Sequence, residues 1–165
     1  MENSDYQSVL LESLSLFKHQ KCWKVILGEG TGSVVNLGFG EKIRRIRPSI
    51  NHTLSLEDRI YEAPLHIYIK CAWRLTKQNQ IISSWRDCAN IERLRSELLS
   101  EIVNLQLKDF IIRSPARDLS LFFENEVVVD VFCDHTNSDE AQDNYVVFVP
   151  QKTVVVGLKG LITIE

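Results

Sequence analysis

Residues 118–133 run Asp118-Leu119-Ser120-Leu121-Phe122-Phe123-Glu124-Asn125-Glu126-Val127-Val128-Val129-Asp130-Val131-Phe132-Cys133. The stretch reads as two strands, 118–124 and 126–133, joined by a hairpin turn at Glu124-Asn125. Successive side chains on a strand point to opposite faces, so Val127, Val129, Val131 and Cys133 share one face. Val128 and Phe132 make the other face partly apolar as well. A strand apolar on both sides belongs in the middle of a sheet.

Around this hairpin the pattern stays β. Strands are expected at 107–113, 144–149, 152–157 and 161–165, with a turn at Lys159-Gly160. Just upstream, Ile91, Leu94, Leu98, Ile102 and Leu105 recur at three and four residues, the spacing of one helix face. Asp87 or Asn90 can cap that helix. Glu92, Arg93, Arg95, Glu97 and Glu101 lie mostly off the stripe.

The first half reads in the same order, helix and then strands. Tyr6, Leu10, Leu14 and Phe17 make an apolar face on a helix at 4–18, with Ser4 and Gln7 as a capping box. Strands at 22–28 and 33–39 flank Glu29-Gly30-Thr31-Gly32, a glycine turn. Residues 65–75 alternate as one strand, with Leu65, Ile67, Ile69, Cys71 and Trp73 on one face, and 81–85 returns. Residues 48–64 have no regular pattern and read as a long excursion. The fold expected is α+β: one domain over 1–165, a largely antiparallel twisted sheet or half-barrel, and two helices packed on it. Asn36-Leu37-Gly38-Phe39 and Ser120-Leu121-Phe122-Phe123 echo one another, which suggests a two-half pseudo-repeat over 1–88 and 89–165.

The 165 residues are 44% hydrophobic and 25% charged, which excludes disordered, collagen-like and low-complexity classes. No run approaches the ~18 apolar residues of a membrane span. The polar start MENSDYQSVLLES does not read as a signal peptide. Net charge is −3, split between a basic first half and an acidic second half: 1–88 hold 12 basic and 9 acidic residues, 89–165 hold 7 and 13. A mildly acidic chain gains little from generic attraction to nucleic acid or membranes. Cys22, Cys71, Cys88 and Cys133 form no C-x-x-C pair, which points to reduced thiols and a cytoplasmic setting.

Candidate chemistry is sparse. Gly28, Gly30 and Gly32 lack the lysine and the following helix of a P-loop. Cys133-Asp134-His135 lacks the matched second pair of ligands that a zinc site needs. No serine sits in a G-x-S-x-G elbow. The expectation is no catalytic residue, no metal and no cofactor. Lys42-Ile43-Arg44-Arg45-Ile46-Arg47 is basic but has no interleaved aromatics, so it reads as a charged edge. The segment 134–143 carries four carboxylates, Asp134, Asp139, Glu140 and Asp143, and its only basic side chain is His135. That charge suits docking of a basic partner.

Cys71-Ala72-Trp73-Arg74-Leu75, then Ile82-Ser83-Ser84-Trp85-Arg86-Asp87, resemble small bacterial proteins of toxin–immunity loci. Asp118 to Phe123 and the hairpin ending at Glu165 extend the likeness over roughly 65–165. The wider group is the cytosolic immunity proteins of contact-dependent growth inhibition and other polymorphic toxin systems. Their folds differ, so no site residue transfers. The resemblance implies a non-enzymatic module that covers the active or substrate-binding surface of a cognate toxin domain, such as a basic nuclease. Two alternatives stand beside it: a small-ligand-binding or regulatory domain using the sheet's concave face, and an RNA-binding module using 42–47.

Overall fold

The computed structural model describes residues 3–27, 34–135 and 143–165. The glycine turn at Gly28, Gly30 and Gly32 lies outside them, as do Asp139 and Glu140.

Helix α1 (Asn3–Ser15) leads into β1 (Cys22–Leu27) and β2 (Val35–Phe39). The excursion that follows carries β3 (Ile43–Arg44), the one-turn helix α2 (Leu56–Ile60) and β4 (Tyr61–Glu62). Next come β5 (Leu65–Ile69), β6 (Ala72–Lys77), β7 (Gln80–Ser84) and α3 (Ile91–Ile102). The rest is strand: β8 (Leu107–Arg113), β9 (Asp118–Phe123), β10 (Val127–Phe132), β11 (Tyr145–Val149), β12 (Lys152–Val156) and β13 (Ile162–Ile164). The class is α+β with antiparallel sheets and two longer helices, not closed into a barrel.

Among the described residues the antiparallel strands make two large sheets, beside the two-stranded β3-β4 pair. One has six strands in the order β1-β2-β5-β11-β12-β13, and the other has five in the order β7-β6-β10-β9-β8. The expected single strand at 65–75 is where they part. Lys70 N and Cys71 N both donate to Asn144 O, at 2.9 and 3.1 Å, and the chain passes there from one sheet to the other. Leu65, Ile67, Ile69, Cys71, Trp73 and Leu75 are nevertheless all buried. Alternation records which side faces the core, and that side is kept through the crossing. β10 is central, paired with β6 on one side and β9 on the other.

Both helices follow their apolar spacing. Leu94, Leu98 and Ile102 of α3 are buried, as are Leu10 and Leu14 of α1 and Phe17 just beyond it. Of the two caps weighed for α3, Asn90 is the one used: its Oδ1 accepts from Arg93 N at 3.1 Å. Asp87 instead completes the capping box of Ser84 on the 3-10 turn before it. α3 stops at Ile102, short of Leu105: Val103 is extended (ψ 130°), Asn104 is left-handed (φ 71°), and Leu105 N closes the turn on Ile102 O at 3.0 Å. His19 is likewise left-handed after α1 (φ 65°).

The two halves thread the same path. In each, a helix leads into a three-strand meander, and the chain then crosses to pair a hairpin against the other half's meander. The registers agree residue by residue. Cys22 pairs with Phe39 and Leu107 with Phe123, each followed by a bulge. Leu37 pairs with Ile67, and Leu121 with Val129. Ile67 then pairs with Val147, and Val129 with Leu75. Backbone bonds between the two halves are reciprocal: Cys22 N to Leu105 O and Leu107 N to Gln20 O, both at 3.0 Å. The core is one cluster drawn from both halves. Phe39 stacks on Phe123, the rings 6.1 Å apart.

Besides the extra edge strand β13, one long segment breaks the correspondence. Between β2 and β5 the chain inserts the excursion, whereas between β9 and β10 it needs only Glu124–Glu126.

Candidate functional site

The acidic segment is tied at both ends. Asn144 is fully buried; its Oδ1 accepts from His135 N at 3.0 Å and its Nδ2 donates to Gly157 O at 2.7 Å. Lys159 N donates to His135 O at 3.1 Å. Asp143 is ion-paired with Lys70 at 3.0 Å. Asp134 is exposed, with its Oδ1 3.4 Å from Ala72 N. These two carboxylates therefore stand at the two ends of the segment, and one of them is already neutralised.

The insertion is held down by a buried cation. Lys24 on β1 has 2% of its side chain exposed, and its Nζ donates to Asp58 O (3.2 Å) and Tyr61 O (3.3 Å). The Asp58 carboxylate is 3.7 Å away. Burial pulls the Lys24 pKa down, and Asp58 pulls it back up in part. A buried amine is costly unless hydrogen-bonded, and here the insertion's carbonyls supply the bonds. Gly38 makes room for this. A Cβ there would sit 2.9 Å from both Ala63 Cβ and Lys24 Cβ. The register position matching Gly38 in the other half is Phe122.

The insertion exposes apolar and basic side chains. Ile46 is fully exposed, Ile50 is 88% exposed, Leu56 68% and Ile43 45%. Among the described residues, four of the eleven exposed large hydrophobics thus fall within fourteen residues, 43–56. That span holds Arg44, Arg45 and Arg47 and no carboxylate. Arg45 pairs with Glu62 at 2.9 Å, and Lys42 outside the span pairs with Glu57. Arg44 and Arg47 are exposed and form no ion pair with the described residues. The sequence reading took 42–47 as an edge guarded by charge. It missed the exposed aliphatics because isolated isoleucines in an irregular stretch carry no period.

Two hollows flank the insertion. A cleft of about 220 Å³ runs between it and α3, lined by Trp23, Leu54, Arg95, Leu99 and others. A more open groove of about 360 Å³ crosses the six-stranded sheet's outer face, lined by Asn36, Arg45, His66, Tyr68 and Phe148. There His66 Nδ1 lies 3.1 Å from Asn36 Oδ1. Burial lowers the His66 pKa, with the Lys24 charge acting the same way, so the ring is neutral near pH 7. Arg45 Nε is buried without a hydrogen-bond partner among the described residues.

Two of the described cysteines are placed for packing. Cys22 and Cys71 are buried. Burial drives the Cys22 thiol pKa far up. For Cys71 a hydrogen bond with Cys133 does so first, and burial adds to it. Thiols held protonated are poor nucleophiles. Among the described residues, no three His, Cys, Asp or Glu side chains gather as metal ligands. No described helix is long and apolar enough to cross a membrane. No protein-family model matches the chain, and no curated protein or solved structure matches it either.

Proposed function

We propose that the chain is a protein-binding module that neutralises a toxin domain by docking on it through the insertion at 41–64. The observation that carries this reading is the exposure of four large aliphatics, Ile43, Ile46, Ile50 and Leu56, within fourteen residues of a segment the second half does without. Ala63 is the insertion's only buried hydrophobic side chain. A segment that adds so little to the core and still presents large apolar side chains to water fits an interaction surface. Arg44 and Arg47 set the complement: an apolar spot ringed by carboxylates. The likeness of 65–165 to immunity proteins supplies the class of partner.

The test uses the toxin domain encoded beside this chain's gene, with affinity measured by titration calorimetry. Ile46→Asp with Ile50→Asp is expected to weaken binding at least tenfold, and to leave the circular dichroism spectrum unchanged. Unaltered affinity, or no toxin gene beside this one, contradicts the proposal.

The clamped acidic segment favours a second reading, in which a basic partner docks on Asp134, Asp139, Glu140 and Asp143. In that case Asp139→Lys with Glu140→Lys slows association about tenfold at low salt, since steering acts on the on-rate. If the aliphatic insertion docks instead, that pair of changes leaves the rate nearly as it was.

A further inference from the structure

Two thiols meet where the five-stranded sheet ends. Trp73 pairs with Val131 and Ala72 with Phe132 across β6 and β10. One step further in the same register, Cys71 stands opposite Cys133. Both lie on the side that carries Trp73, Leu75, Val129 and Val131 into the core. Cys71 N donates to Asn144 O at 3.1 Å and Cys133 N to Asp118 Oδ1 at 2.7 Å. The two residues therefore exchange no backbone bond. Opposed residues of that kind hold their Cα atoms about 4.5 Å apart, with their side chains at their closest. A disulfide spans Cα separations of about 4.4–6.8 Å. The side chains already touch, because the Cys71 and Cys133 thiols share a hydrogen bond.

The pair is unevenly exposed. Cys71 is 2% exposed, whereas Cys133 is half-buried. A dissolved oxidant can therefore reach Cys133 but not Cys71. Cys22 sits apart: it is fully buried, and its Sγ–H goes to Lys24 O at 3.7 Å.

We propose that Cys71 and Cys133 form a reversible oxidation site, which closes to a disulfide with a small-molecule disulfide such as glutathione disulfide as the oxidant. Cys133 gives its proton to solvent, and its sulfur attacks one sulfur of the oxidant. The oxidant's S–S bond breaks, and one glutathione leaves as a thiolate that takes up a proton. Cys133 is then a mixed disulfide. Next the Cys71 sulfur, losing its own proton to solvent, attacks the Cys133 sulfur and expels the second glutathione, which is protonated in turn. Two protein thiols are oxidised, and one glutathione disulfide is reduced to two thiols. The order suits the site. The hydrogen bond with Cys133 is what chiefly holds the proton on Cys71, and it lapses once Cys133 carries glutathione. The new bond ties the end of β10 to the point where the chain passes between the two large sheets. The site shares no residue with the insertion, so it stands or falls apart from the docking surface.

The test treats the folded chain with glutathione disulfide and maps its peptides by mass spectrometry without reduction. The expected product is one peptide pair joined through Cys71 and Cys133, in a chain lighter by two hydrogens and restored by dithiothreitol. Cys133→Ser is expected to abolish the link. Cys71→Ala should halt the reaction one step earlier, with roughly tenfold more glutathione retained on Cys133 than in the wild type. Circular dichroism confirms that both variants are folded. The proposal is overturned if the folded wild type stays reduced, or if it keeps glutathione on Cys133 without passing to the link. A link through other cysteines, or one that forms only after denaturant is added, overturns it as well.

Discussion

At the residue scale, Gly38 decides how closely the insertion can return to the sheet. Adding one methyl group there forces Ala63, Lys24 or the backbone to move, because the nearest carbons would be 2.9 Å away. Gly38→Ala is expected to cost about 1–3 kcal/mol in urea unfolding, the usual range for an overpacked site. Gly157→Ala is the control: its nearest atoms are 3.8 and 3.9 Å off, and its cost should stay within about 1 kcal/mol. His66 gives a pH signature. Its folded pKa lies below the ordinary 6.5, so between those two values the unfolded chain binds a proton that the folded chain refuses. This contribution to stability is complete above pH 6.5 and is lost as the pH falls towards the lowered value. His66→Asn should flatten the decline in stability over that window, and equal slopes for the two proteins would contradict the account.

At the element scale, α3 is a core helix with a solvated back. Leu98→Ala should destabilise by about 2–5 kcal/mol in denaturant titration, since Leu98 is 1% exposed. A cost under about 0.5 kcal/mol would mean that the stripe is not packed. The insertion is the opposite kind of element. It rests on β1 through Lys24 and on β2 through the space at Gly38, and it adds little apolar burial of its own. Ile46→Ser and Ile50→Ser should therefore change stability by less than about 0.5 kcal/mol, within the range of surface substitutions. A larger loss in either would show that these side chains pack, and the docking argument would fail with them.

At the scale of the whole molecule, local pattern and long-range pairing were legible to different degrees. The central place of Val127–Phe132 and the buried stripe of α3 could be read from the sequence, because each depends on a short period of apolar residues. The division of 65–75 between two sheets could not, because Ile69, Cys71 and Trp73 keep facing inward across the crossing. The x-Leu-x-Phe echo falls at matching register positions, Leu37 with Leu121 and Phe39 with Phe123, which only the strand pairing reveals. Of the acidic residues singled out, Asp143 is engaged by Lys70 and Asp134 lies at the other end of the segment. The aliphatics of 43–56 gave no periodic signal, and the groove at His66 joins residues as far apart as Asn36 and Phe148.

The second half shows that this path can close between its second and third strands with a three-residue turn. Replacing residues 40–64 with Glu-Asn-Glu, the turn used at 124–126, removes the proposed docking surface and is expected to keep the two large sheets. The decisive measurement is survival of cells that express the proposed partner, a toxin domain encoded beside this gene, together with either the wild-type chain or this shortened one, each confirmed as folded by circular dichroism. The account predicts that the wild type protects and the shortened chain does not. Equal protection by a folded, insertion-free chain would contradict it.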